Sequence, residues 1–459
     1  MKNLTIRELK AHYQNKEFSP VEVTNYYLRR IDHNQDLNTY ITVCAEQALK
    51  QAEISEKKFL ANELTGILEG IPLSYKDNLY TKGIRTTSGS KIEENFIPDT
   101  NAGAFQILQR EGAVNLGKTN MHEYAFGITS NNPFYGPVRN PWNREYTPGG
   151  SSGGSGAAVA ASLCAASIGT DTGGSVRIPA ASCGVIGLKP TYHLVDATGV
   201  KNISWSIDHV GPLTKNVDDL AIMMEALTGL SYSENLQEDI RGLRVGVPSN
   251  YFNEYIDKES LSLYKQALNN LASLGAVLID IEVPFTAEDL ALVFTLAISE
   301  AGFVHENSLH HAIDQFGPDV RAALEASRSF SALDYIKAIK RKADITEQFE
   351  KLFEQIDVLA TPTLPDTAQK IGVEEFEIAG RREPIFDAMI RYASVFNLTG
   401  QPALSIPSGL TEKGLPVGLQ LAAATFNEQT LIRAGYAYEQ SFLKEFYKKR
   451  EALGESLKN

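Results

Sequence analysis

The chain has 459 residues, 43% apolar and 22% charged, the balance of a globular protein able to bury a large core. Its 43 Lys plus Arg against 56 Asp plus Glu give a net charge of −13 with no basic cluster, so nucleic acid is not an expected partner. The first twenty residues lack a signal-peptide core and no apolar run reaches membrane-span length, while three widely spaced cysteines, Cys44, Cys164 and Cys183, fit a reducing cytoplasm better than a disulfide framework or a zinc site.

Residues 4–60 read as helical. Ser19-Pro20-Val21-Glu22 is a capping box with proline at the first helical position, followed by apolar residues at helical spacing. From Gly66 the texture changes to short apolar runs cut by glycine and proline: GIPLSYKD, GAVNLGK, SLCAASIG, CGVIGLKP. These predict strands and tightly packed helices of one mixed core. Further on, strands are expected at 243–249 and 276–284 around a helix at 256–274. A helical stretch follows over 287–356, then strands at 356–363, 402–410 and 415–423 and a closing helix from about Asn427. This divides the chain into an N-terminal helical segment, 1–65, packed on one catalytic domain, 66–459, with 287–356 as a helical insertion. No repeat and no disordered linker is seen. The eight histidines include one cluster, His305, His310 and His311, without ligand spacing, so neither metal nor cofactor is expected.

Three motif matches compete. Gly112 to Thr119, GAVNLGKT, satisfies the P-loop pattern, but a helix-like AFQILQREG precedes it and AVNL is strand-like, whereas a phosphate cradle needs strand, loop, then helix. A nucleotide enzyme is therefore the remote alternative. GxSxG occurs twice, around Ser151 and Ser152, yet Pro148-Gly149 is a poor strand ending and no downstream histidine is marked as a base. The third match is the whole segment PGGSSGGSGAAVAASLCAASIGTDTGGSVRIPA. Gly/Ser runs are normally linkers, but this one lies in the densest strand-and-turn region. It consists of two serine turns joined by a short, small-residue helix, and consecutive glycine amides suit an oxyanion.

That segment, 147–180, resembles the signature of the amidase signature family of serine hydrolases. The likeness continues through GIPLSYKDN (70–78), GKTNMHEYAFG (117–127), NPWN (140–143), CGVIGLKPT (183–191), HVGPLT (209–214), NLTGQPALSIP (397–407) and GLPVGLQL (414–421). It implies an α/β fold with a single large mixed β-sheet covered by helices on both sides. It also implies a catalytic set of Lys76, Ser151 and Ser175, with Ser175 as nucleophile, Ser151 as proton relay after a cis Gly150–Ser151 peptide, and Lys76 as base. The amides of Thr172, Gly173, Gly174 and Ser175 would form the oxyanion hole, and Ala125 would lie at the acyl-binding face.

The chemistry is consistent with that assignment. A lysine serves as base only if uncharged before attack, which burial promotes by disfavouring the ammonium; Lys76 ends the apolar run IPLSY. Asp171 and Arg177 read as buried scaffolding. Ser152 reads as hydrogen-bonded support for the relay or as a helix cap, and His122 as packed or solvated rather than a base. One branch of the family, the glutaminase component of the glutamyl-tRNA(Gln) amidotransferase, hydrolyses glutamine and works with partner subunits. Where that branch has a charge-clamping aspartate, seven residues before the NLTG block, this chain has Ile390. The matching arginine falls at Lys342 or at Arg341 beside it. The expectation is a free-standing amidase acting on a small-molecule amide, with the glutaminase component and its amidotransferase partner subunits as the alternative; homodimerisation is left open. A binding module without catalysis is the remaining alternative outside hydrolysis.

Overall fold

A computed structural model describes residues 3–236 and 239–456; the extreme ends of the two expected segments, 1–2 and 457–459, lie outside these. Eleven strands form one mixed sheet. In spatial order they are Tyr40–Val43, Val114–Thr119, Pro72–Lys76, Ala166–Asp171, His209–Thr214, Ile186–Lys189, Ala403–Leu410, Pro416–Ala423, Val358–Pro362, Arg244–Pro248 and Val277–Ile281. The three strands Val114–Thr119, Pro72–Lys76 and Ala166–Asp171 run parallel, and so do the last three. The centre is antiparallel, built on the long Ala403–Leu410 and Pro416–Ala423 hairpin. Strands buried along their whole length, such as Pro72–Lys76 and Ala166–Asp171, explain why the sequence shows continuous apolar runs there instead of alternation.

The expected strands and helices appear within a few residues of their sequence bounds. Helix Pro20–His33 starts at the Ser19 capping box, and the predicted 256–274 helix is Lys258–Ser273, capped by Asp257. The helical stretch resolves into Leu290–Val304, Glu306–His311, Pro318–Ala326 and Ala332–Leu352. Two features depart from expectation. Tyr40–Val43, inside the region read as helical, is an edge strand antiparallel to Val114–Thr119; its aromatic and β-branched residues favour the pleated conformation. Residues 375–384 form a small hairpin, Glu375–Ile378 with Arg381–Pro384. The P-loop match is a fully buried strand, Val114–Thr119, and the Lys118 ammonium is bound internally by Thr81 Oγ1, Thr86 Oγ1 and the Leu79 carbonyl. No amide cradle exists there, which removes the nucleotide alternative. Among the described residues no helix is long and apolar enough to cross a membrane.

Side chains from Ile6, Tyr27, Leu73, Val159, Leu188 and Leu404 belong to one buried cluster, so the N-terminal helices and the sheet share a core. The carboxyl ends of adjacent parallel strands open at one edge of that core, the place where α/β sheets present ligand sites.

Candidate active site

Lys76 is the last residue of Pro72–Lys76, and the neighbouring parallel strand supplies Thr170 and Asp171 at its own carboxyl end. The Lys76 side chain is fully enclosed. Its Nζ donates to Ser151 Oγ at 2.7 Å and to Thr170 Oγ1 at 2.7 Å, with the Thr170 carbonyl at 3.4 Å. Burial lowers its pKa to about 7, against the opposing pull of Asp171 and Asp208, so a neutral amine is accessible near neutrality. Asn78 Nδ2 also donates to Thr170 Oγ1, at 3.2 Å, holding that hydroxyl as an acceptor. Sequence reasoning assigned Thr170 no role, although it lies in the GTDTGGS turn.

The first Gly/Ser turn brings its backbone close to its neighbours. The Gly150–Ser151 peptide is cis. Gly149 has φ +78°, a region glycine favours, and a Cβ on Gly154 would lie 2.2 Å from the Asn120 carbonyl oxygen. The Ser151 carbonyl accepts from His122 N and Ser130 Oγ, both at 3.2 Å. Of the two readings for Ser152, the structure selects support: its Oγ donates to the Thr170 carbonyl at 3.1 Å and accepts from Thr170 N at 3.3 Å, with no capping bond to helix Gly153–Ala160.

The second turn is held by Asp171 and Arg177, both wholly buried. Arg177 donates to both Asp171 oxygens, to Asn397 Oδ1, to Gln420 Oε1 and to the Ala393 carbonyl. Burial alone would raise the Asp171 pKa; the Arg177 guanidinium and Asn397 hold it well below the usual carboxylate range. Asp171 in turn accepts from Gly174 N at 2.7 Å and Val176 N at 3.0 Å. This corrects one expectation: the Gly174 amide is engaged by a carboxylate and is not free for an oxyanion. Among the described residues, the amides of Thr172, Gly173 and Ser175 have no internal acceptor.

Thr172, Gly173, Ser175 and Ala125 face a cavity of ≈ 770 Å³, while Lys76 and Ser151 lie fully buried. Among the described residues the Ser175 hydroxyl has no hydrogen-bond partner, so the Ser151–Ser175 contact that the resemblance implies is open here. Such contacts often close only around bound substrate. The arrangement has what acyl transfer needs: a hydroxyl at a cavity wall, a buried amine joined to a second hydroxyl, and unpaired amides beside the first.

The cavity walls are largely apolar. Val293, Phe294, Ala297 and Ile298 come from helix Leu290–Val304, and Ile385, Phe386 and Ile390 come from helix Ile385–Ile390. The sequence did not identify the wall from the helical stretch. The polar rim includes His122, paired with Asp319 at 2.6 Å, and Glu374. No Lys or Arg is among the described lining residues. Arg341 instead pairs with Asp289, and Lys342 donates to the Ser206 carbonyl at 2.6 Å.

A family model described as Amidase matches residues 22–432. A curated relative from Lachnospira eligens, the A component of its glutamyl-tRNA(Gln) amidotransferase, is 38% identical over 95% of this chain and 98% of its own. Among solved structures, a chain from a vestigial protein complex bearing on the origins of an s-triazine catabolic enzyme superposes with a TM-score of 0.92. It is 31% identical, over 96% of this chain and 99% of that one. A structure described as an amidase gives 0.90 at 34% identity, over 95% and 99%.

Proposed function

The chain belongs to the amidase signature family, and from that premise we propose that it hydrolyses a carboxylic amide through an acyl-enzyme on Ser175. Ser151 relays the proton and neutral Lys76 is the base. In acylation the Ser175 oxygen attacks the amide carbon while its proton passes to Ser151, whose own proton moves to Lys76. Reversal of that relay protonates the leaving nitrogen, so the C–N bond breaks and ammonia or an amine departs. Water then enters by the same relay, cleaves the ester and releases the carboxylate. The amides of Thr172, Gly173 and Ser175 stabilise the tetrahedral oxyanion, with Ala125 at the acyl-binding face. The observation that carries this reading is the enclosed Lys76 Nζ, 2.7 Å from Ser151 Oγ.

The substrate we favour is a small amide, uncharged where it fills the cavity. Apolar walls stabilise such a group, and a substrate carboxylate would find no lysine or arginine in the described lining. The fit to a structure described as an amidase supports amide hydrolysis. The sequence comparisons favour a second reading, the glutamine-hydrolysing component of a tRNA-dependent amidotransferase with partner subunits, because the curated relatives bear that name across almost their whole length. Against it stand Ile390 in the cavity wall and Arg341 and Lys342 engaged elsewhere. Ammonia release by the purified chain alone, across aryl and alkyl primary amides and glutamine, separates the two readings. Turnover of the apolar amides without glutamine is expected; glutaminase activity that appears only with partner subunits would establish the second reading.

A further inference from the structure

Asp208 belongs to no motif, yet the sheet brings it to Thr172 in the signature turn. The antiparallel pairing of Ala166–Asp171 with His209–Thr214 ends at Asp171 opposite His209. One step further, Thr172 comes opposite Asp208, and Thr172 Oγ1 donates to Asp208 Oδ1 at 2.6 Å. The other carboxylate oxygen accepts from Ile203 N at 3.0 Å and Ser204 N at 3.1 Å. The 203–206 segment is itself pinned to the helical stretch: Ser204 Oγ and Ser206 N donate to the buried Glu300 carboxylate, and Lys342 Nζ donates to the Ser206 carbonyl. Asp171 fixes the far side of the same turn through Gly174 N and Val176 N. The turn carrying the free amides is thus held at both ends by carboxylates, and only the Asp171 end is part of the signature segment.

We infer that Asp208 is a positioning residue for amide hydrolysis, aiming the Thr172 and Gly173 amides at the oxyanion through its hydrogen bond to the Thr172 hydroxyl. The inference rests on the hydrolase reading above. Amides oriented before the reaction avoid reorganisation cost in the transition state, and a small misplacement forfeits much of their effect. Removing this hold should therefore slow bond formation at Ser175 and leave ground-state binding alone.

The test is the kinetics of Ser175 phosphonylation by an alkyl fluorophosphonate, which needs the nucleophile and the oxyanion amides but no particular substrate. Rates are measured well above the Lys76 titration, so that loss of the Asp208 charge does not act through the base. Thr172→Val and Asp208→Asn are each expected to lower the limiting labelling rate about 10- to 100-fold, with half-saturation unchanged. Thr172→Val leaves the Asp208 grip on Ile203 and Ser204 intact, so it reports even if Asp208→Asn folds poorly. Thr172→Ser should recover most of the loss, and the double variant should be no slower than the slower single. Wild-type rates in Thr172→Val, losses that multiply in the double variant, or a change confined to half-saturation would overturn the inference. Absence of wild-type labelling, or labelling that survives Ser175→Ala, would instead sink the hydrolase reading and this inference with it.

Discussion

At position 76 the enclosing strand matters as much as the residue type. A solvated lysine is nearly always an ammonium at neutral pH, whereas here burial brings the titration to about 7 and the amine meets Ser151 directly. Lys76→Arg should therefore lower turnover by about 10²–10⁴-fold, since a guanidinium does not give up its proton, while circular dichroism remains native. Arg177 acts differently. Its guanidinium is the counter-charge of a carboxylate with no solvent exposure, so Arg177→Gln should cost about 3–5 kcal/mol of stability by leaving Asp171 uncompensated, read as a lower denaturation midpoint. Lys76, Ser151 and Ser175 could be named as candidates because they sit in contiguous signature blocks. Thr170 and Asp208 could not, because their partners are set by strand register: Lys76 meets Thr170 across a parallel pair, and Asp208 meets Thr172 beyond the end of an antiparallel one.

Among the elements, helix Gly153–Ala160 binds the two serine turns together. All eight of its residues are buried, and its glycines are there because neighbouring atoms occupy the space of a side chain. At Gly154 the obstruction is the Asn120 carbonyl, which cannot rotate away. Gly154→Ala should destabilise the protein by about 1–3 kcal/mol and slow Ser175 labelling, measured by urea titration and by probe kinetics on the same sample. The large strands were readable because each is an apolar run bounded by glycine or proline. Tyr40–Val43 escaped because four residues between two helices give no period to detect, and the Glu375–Pro384 hairpin because its two strands of four mostly charged residues are too short to show one.

Over the whole molecule, the sheet supplies the chemistry and the surrounding helices supply the cavity. Walls from 293–298 and 385–390 meet the 125–131 loop and the oxyanion turn only in the folded chain, so the shape of the cavity had no signature in the sequence. Phe294, in the wall supplied by the helical stretch, contacts the Phe386 ring at 5.9 Å between centroids. Phe294→Ala should raise KM for bulky aryl amides about tenfold with kcat little changed, the mark of binding lost equally in ground and transition states; steady-state kinetics on a size-graded amide series checks it. The central claim is that loss of a proton from an enclosed amine arms Ser175, and its most direct measurement is the rate of Ser175 phosphonylation as a function of pH. The rate should climb with a midpoint near the Lys76 value of about 7 and level off above it, with no comparable rise in Lys76→Arg. A rate that is flat through that range, or the same in both proteins, would contradict the account.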